Sequence, residues 1–176
     1  SLMLPRLLRR LMFPRFREQG HHITFMGLLI LRKTATLFIS GLHDFALTIF
    51  NVSDVNSPTH VGAVIDTTYL NGVWGNEKKG NYIWACASHS HYLTSINVSD
   101  PENPSVEGHI NSHSTTIDDI RIDGNYAFCA CIGENGTSVY DISNSSSPSY
   151  LTGLYGSGSP YYMAGAHNLY LTTDYC

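Results

Sequence analysis

The sequence predicts an all-β chain built from repeated four-stranded antiparallel units. Three segments of equal length align without a gap: TLFISGLHDFALTIFN at 36–51, YIWACASHSHYLTSIN at 82–97 and YAFCACIGENGTSVYD at 126–141. Each segment ends in a polar turn and is followed by a proline and another apolar run. No stretch of 36–176 is long or periodic enough for a helix. Together these three observations predict the fold class.

The spacing of the copies favours β-propeller blades. Successive copies begin 46, 44 and 44 residues apart, so a further copy is expected from Tyr170. A steady period of this size is typical of blades, solenoids or arrays, and four short strands per unit favour blades. We therefore expect about three four-stranded antiparallel blades and part of a fourth. The predicted repeats are about 36–81, 82–125 and 126–169, with 170–176 as the partial copy.

The second repeat provides the template for the strands. Aromatic and β-favouring residues predict strands at 82–87 and 92–98, joined as a hairpin. Two prolines and Asx-turn residues predict a tight turn at 100–104. Further strands are expected at 105–110 and 118–123. Five side chains of these strands and their equivalents are expected to be buried: Trp84, Ile96, Ile120, Phe128 and Val139.

Composition and charge limit the possible partners. The chain has 176 residues, of which 43% are apolar, which is enough for one domain with a packed core. Residues 1–33 carry a net charge of about +6, whereas the other residues carry about −10. Because binding to a phosphate backbone needs clustered cations, the acidic repeat body argues against a nucleic-acid partner.

The basic N-terminal region has two interpretations. Residues 1–20 match no copy and are described as an irregular basic leader of unknown role, with the propeller portion at 21–176. The apolar run at 25–31 is too short for a membrane span, so no transmembrane segment is expected. It is either part of a targeting segment or a strand, because a shift of 90 residues places 28–31 over 118–121.

The segment NYIWACASHSHYLTSINVSDPENPSVEGHI at 81–110, with its two partner copies, resembles the LVIVD repeat family. The closest match to the family pattern is NVSDPENP at 97–104; DVNSP at 54–58 lacks the first proline, and NSSSP at 144–148 is degraded. The resemblance implies a propeller domain of an exported or surface protein. It implies no shared catalytic residues.

The number of copies predicts an incomplete ring. Propellers usually close with four to eight blades, and an open arc leaves sheet edges and blade faces uncovered. Two explanations are open: the chain is a fragment of a longer protein, or copies associate to complete the ring.

Histidines and carboxylates mark one face of the predicted blades. The loop between the second and third strands of a predicted blade contains His43 in one blade and His89 and His91 in the next. His113 lies in the connection that enters the next innermost strand, on the same face. We expect His43 and His89 on one rim about one blade apart, and Asp118 and His113 nearer the axis than His43. Imidazole and carboxylate are competent metal ligands, but nothing in the sequence places these side chains within bonding distance of one ion, so solvated polar loop residues are the favoured interpretation. The candidate ligand-face residues are His89, His91, His113, Asp118 and Asp119.

The cysteines also have two interpretations. Cys129 and Cys131 project from the same face of a strand, and Cys86 is one position out of phase with both. They are either buried free thiols that act as small apolar residues, or partners in a disulfide of an exported protein. The absence of C-x-x-C from the sequence weakens a zinc or redox interpretation.

The predicted function is a non-catalytic repeat scaffold that binds a protein or carbohydrate partner through one propeller face. The expected location is outside the cell, at its surface or in a periplasm. No catalytic residue, metal site or cofactor is assigned, since the sequence lacks a G-x-S-x-G elbow and a glycine-rich loop before a helix. The alternative is a metal-dependent enzyme with its site at the mouth of the channel, built from His89, His91, Asp118 and Asp119.

Overall fold

A computed structural model describes residues 25–31, 35–41, 43–114, 116–156 and 166–171. These residues form three antiparallel sheets of four strands, and none of them is helical. The first sheet contains β1 (Phe25–Leu31), β2 (Thr36–Gly41), β3 (Ala46–Asn51) and β4 (Thr59–Ile65). The second contains β5 (Val73–Lys79), β6 (Tyr82–Ala87), β7 (Tyr92–Asn97) and β8 (Ser105–Asn111). The third contains β9 (Ile117–Asp123), β10 (Tyr126–Cys131), β11 (Gly136–Asp141) and β12 (Ser149–Tyr155).

The predicted all-β class and the strands predicted from the second repeat are confirmed. The apolar run at 25–31 is the strand β1, as one of its two interpretations required. The second and third sheets begin one strand before the aligned segments at 82–97 and 126–141. The reason is that tight two-residue hairpins join β5 to β6 and β9 to β10, so β5 and β9 belong to these sheets. The strand that ends one sequence repeat therefore opens the next sheet.

The sheets are arranged as blades in an open arc. Consecutive strands pair in order within each sheet, and β5 contacts both β1 and β9. These three first strands are thus the innermost strands of neighbouring blades. Residues 1–20, predicted to be an irregular leader, lie outside the described residues, as do 157–165 and most of the predicted partial copy at 170–176. Tyr170 and Leu171 are described and do not belong to a strand. The described part contains no helix that is long and apolar enough to cross a membrane.

Within the described residues the core consists of two clusters, one at each contact between blades. Ile96 belongs to the cluster between the first and second blades, and Trp84 and Ile120 belong to the cluster between the second and third. All three side chains are at most 1% exposed, as predicted. The prediction is wrong for Phe128 and Val139, which are only partly buried.

The position of Phe128 in its strand explains this difference. Its neighbours Ala127 and Cys129 face the second blade, so alternation along β10 turns Phe128 to the opposite face of the third blade. Its equivalents Phe38 and Trp84 are buried because another blade packs on them. Among the described residues, no blade covers the face that carries Phe128.

The polar turns are held by their own side chains. In each blade the Asn or Asp that ends the third strand accepts a hydrogen bond from the amide of the serine two residues later, with N···O distances of 2.8–3.0 Å. This confirms the predicted turn at 100–104, where Asp100 accepts a bond from the Glu102 amide. Asn51 and Asn97, each of which is followed by Val-Ser in an N-x-S pattern, therefore serve as turn caps.

The same turns dock on the preceding blade through glycine positions. A Cβ atom added to Gly62 would lie 2.4 Å from the carbonyl oxygen of Pro101, and one added to Gly108 would lie 2.4 Å from that of Ser145. Only glycine fits such a close backbone approach. In the third blade the same register position is Thr152.

Candidate functional site

The loops between the second and third strand of each sheet set the geometry of one propeller face. Each loop ends in a non-glycine residue with positive φ: Phe45 at 52°, His91 at 61° and Asn135 at 55°. The carbonyl oxygen of His91 accepts a hydrogen bond of 2.7 Å from the amide of Ser112, and the other two loops make the equivalent bond. The backbone at this position is therefore fixed by the fold, whereas the residue type differs from blade to blade, and the side chain of His91 is exposed.

A cavity of about 570 Å³ lies on this face between the second and third blades. The lining includes two predicted candidates, His91 and His113. The ring of His113 stacks on Tyr150 with centroids 3.8 Å apart, and its amide lies 3.4 Å from the hydroxyl of Tyr140. Burial raises the pKa of Tyr140 well above its ordinary value, so this hydroxyl stays protonated. The other lining residues are Ile110, Asn111, Ser112, Ser114 and Glu134.

Two other candidates, Asp118 and Asp119, lie in a separate cavity of about 300 Å³ at the start of β9. The carboxylate of Asp118 is 3% exposed; Nδ1 of His167 lies 2.9 Å from its Oδ2, and the hydroxyl of Ser88 lies 3.4 Å from its Oδ1. Both oxygens of this buried carboxylate therefore face hydrogen-bonding groups.

Asp119 is also engaged by neighbouring groups. Its Oδ1 lies 2.7 Å from a guanidinium nitrogen of Arg121, and its Oδ2 accepts a 3.0 Å hydrogen bond from the amide of Leu169. Together with Asp118, it thus anchors the segment 166–171 to the innermost strand of the third blade.

The predicted candidates are not brought together at one point. His89 is exposed and lines neither cavity; its ring centroid lies 6.2 Å from that of His43, so these rings are closer than the predicted blade separation. Asp118 lies on an innermost strand as expected. The ring of His113 stacks on Tyr150, which belongs to the outermost strand β12.

The described residues contain no group of three or more His, Cys, Asp or Glu side chains placed to hold a metal ion. Sequence analysis missed Trp74 and His167, which line the cavity of Asp118. Trp74 and Asp118 occupy the same bulged position of β5 and β9, where the register skips one residue. Aligning those innermost strands would have identified Trp74. The indole Nε1 of Trp74 is buried without a hydrogen-bond partner among the described residues.

Comparisons with known proteins agree with this architecture. The LVIVD repeat family model matches residues 116–155, which is the third blade. A solved structure of Kuenenia stuttgartiensis hydrazine synthase is 16% identical with a TM-score of 0.59, and the match covers 82% of this chain and 40% of that chain.

Two other solved structures show the same fold. The RRP9 WD40 repeats are 12% identical with a TM-score of 0.60, covering 78% of this chain and 40% of that chain. A protein from Lactobacillus plantarum is 14% identical with a TM-score of 0.65, covering 76% and 42%. No curated protein matches the chain. The chain spans about two fifths of the length of these solved structures. The described residues therefore form an arc of β-propeller blades, and the third blade matches the LVIVD repeat family model.

Proposed function

We propose that the chain is a non-catalytic binding scaffold of an exported or cell-surface protein. It binds a protein or carbohydrate partner on the propeller face that carries the cavity of His91 and His113. The observation that carries this proposal is the construction of that cavity. Two loops and one connection from two blades form it, and the backbone bond between Ser112 and His91 holds two of these segments together.

The variation among blades supports a recognition role for His91. Phe45, His91 and Asn135 share one backbone geometry, so the turn itself does not require histidine at this position. A side chain that the turn does not need is available for contacts with a partner. The imidazoles, serine hydroxyls and carboxylate in the lining offer hydrogen-bond donors and acceptors of the kind that fix a polar ligand.

The contacts of the carboxylates favour a scaffold over the metal-dependent alternative. Asp118 already faces His167 and Ser88, and Asp119 already pairs with Arg121. A metal ion would have to displace these groups, and neither His91 nor His113 lies in the same cavity to complete a ligand set. Elemental analysis of the dialysed protein tests this point: stoichiometric zinc, iron or calcium would favour the enzyme.

The binding proposal is tested with the full chain on a glycan array and against a panel of extracellular proteins. The variants are His91→Asn, which introduces the residue that the third blade has at this position, and His113→Ala. We expect each variant to weaken binding of the identified partner by about tenfold, which is about 1.4 kcal/mol. His43→Ala is the control, because His43 is exposed and lines neither cavity. Equal affinity of all three variants and the parent would contradict the proposed face.

A further inference from the structure

Two cysteines meet across the contact between the second and third blades. Sγ of Cys86 on β6 lies 3.9 Å from Sγ of Cys129 on β10, and both residues are fully buried. They belong to the same apolar cluster as Trp84 and Ile120. Cys86 is the fifth residue of β6 and Cys129 is the fourth residue of the equivalent strand β10, so alternation places their side chains on opposite faces of their sheets. Neighbouring blades pack with opposite faces together, and the two side chains therefore meet.

Packing between blades does not require a cysteine at either position. At the contact between the first and second blades, Ser40 is the equivalent of Cys86 and Ala85 is the equivalent of Cys129. Both are fully buried. Ser40 contacts Asn76 there, with an Nδ2 to Oγ distance of 3.0 Å. The facing pair of thiols is thus particular to the second contact.

We propose that Cys86 and Cys129 form a disulfide that covalently joins the second and third blades. The inference goes beyond the binding role, although it rests on the proposed exported location for its oxidising surroundings. A disulfide requires an S–S distance of about 2.0 Å, so the two sulfurs have to approach by about 2 Å. Rotation of both side chains shares this movement.

The oxidant is a small disulfide such as oxidised glutathione. One cysteine thiolate attacks a sulfur of that disulfide, a mixed disulfide forms, and the first glutathione thiolate leaves with the electron pair. The second cysteine thiolate attacks the protein sulfur of the mixed disulfide, and the second glutathione thiolate leaves. Overall the protein loses two protons and two electrons, and one oxidised glutathione becomes two reduced molecules.

The bond forms while the blades are still open to solvent. In the folded chain, burial raises the pKa of the Cys86 thiol well above its ordinary value, and its contact with Cys129 raises it further. Since the thiolate is the attacking species, the folded, reduced chain resists oxidation. Cys131 has other contacts: its Sγ lies 3.1 Å from the hydroxyl of Ser138 and 3.3 Å from the carbonyl oxygen of Cys129.

The test refolds the reduced full chain in a buffer of reduced and oxidised glutathione, blocks free thiols and digests with trypsin. Cleavage after Lys79 and Arg121 places Cys86 in the peptide 80–121 and the other three cysteines in the peptide 122–176. We expect these peptides to be joined, with fragmentation assigning the bond to Cys129. The oxidised chain should also unfold at a higher urea concentration than the reduced chain.

Matched variants identify the partner of Cys86. The Cys176→Ala background removes a competing thiol. In it, Cys131→Ala should keep the joined peptides and Cys129→Ala should lose them; alanine stands at both equivalent positions in the second blade, Ala87 and Ala85. Free thiols throughout the refolded parent, or a bond to Cys131 or Cys176, would overturn the proposal. If a variant does not refold, fragmentation of the parent peptides decides alone. None of these results depends on a binding partner, so this proposal and the binding proposal can fail separately.

Discussion

Replacing Gly108 by threonine should loosen the contact between the second and third blades. Gly108 lies on β8, where the turn of the third blade packs on its backbone. A Cβ atom at this position would lie 2.4 Å from the carbonyl oxygen of Ser145 and 2.7 Å from the carbonyl carbon of Ser146. Real Cβ atoms essentially never approach other atoms within 3.0 Å. The obstructing atoms belong to the backbone, so no side-chain rotation relieves the clash.

The structure gives the size of the expected effect. Forcing extra atoms into a packed contact costs about 1–3 kcal/mol. Moving Ser145 also strains the 2.6 Å hydrogen bond that its carbonyl oxygen accepts from Ser95, which is worth about 1 kcal/mol. Threonine is a better strand residue than glycine by up to about 1 kcal/mol. The net expectation is a loss of about 1–3 kcal/mol, whereas strand preference alone predicts a gain.

Equilibrium unfolding in urea measures the change. Thr152→Gly is the matched control, because Thr152 holds the equivalent position on β12 and is exposed. This reverse substitution should cost at most about 1 kcal/mol, through strand preference alone. The reasoning is refuted if Gly108→Thr unfolds at the same or a higher urea concentration than the parent.

Three further predictions use the same chain. Trp84→Ala should cost about 3–5 kcal/mol and Phe128→Ala clearly less, because Phe128 is only partly buried; equal urea midpoints for the two variants would contradict the burial assignment. Glu77→Ala should lower the free energy of unfolding by about 1–3 kcal/mol, because the amide of Ile122 on β9 loses the carboxylate oxygen that lies 2.8 Å away. Glu77→Gln retains an acceptor oxygen and should cost less. Equal losses for the two variants in urea unfolding would show that this hydrogen bond does not contribute. Hydrogen bonds from the side chain of Asn103 and from a turn amide lower the pKa of Asp100 in the folded state, so the ionised carboxylate stabilises the fold fully above the unfolded pKa, and this stabilisation is lost as the pH falls through the folded pKa. NMR titration of Asp100 should give a midpoint below that of an ordinary aspartate. A midpoint at or above the ordinary value would count against the turn geometry.

The candidate site could be predicted in part. The candidate histidines and carboxylates could be assigned to loops and strand ends from the sequence, because local turn residues indicate where strands end. The division into two cavities could not be predicted, since it depends on how neighbouring blades pack against each other. Trp74 was missed because it lies outside the aligned segments. His167 was missed because its contact with Asp118 spans 49 residues of sequence.

The sequence by itself determined the period, the strands and the turns of this protein. These features depend on interactions within a few residues, such as side-chain alternation and the hydrogen bond that the amide of Ser99 donates to the side-chain oxygen of Asn97. Only the tertiary structure decided which residues meet across blades. The facing thiols of Cys86 and Cys129, the docking of a turn on Gly108 and the incomplete burial of Phe128 all depend on the neighbour that packs against each sheet. Equivalent positions therefore differ in burial and contacts, because the repeat fixes each strand within its own sheet while the neighbouring blade sets the environment of each face.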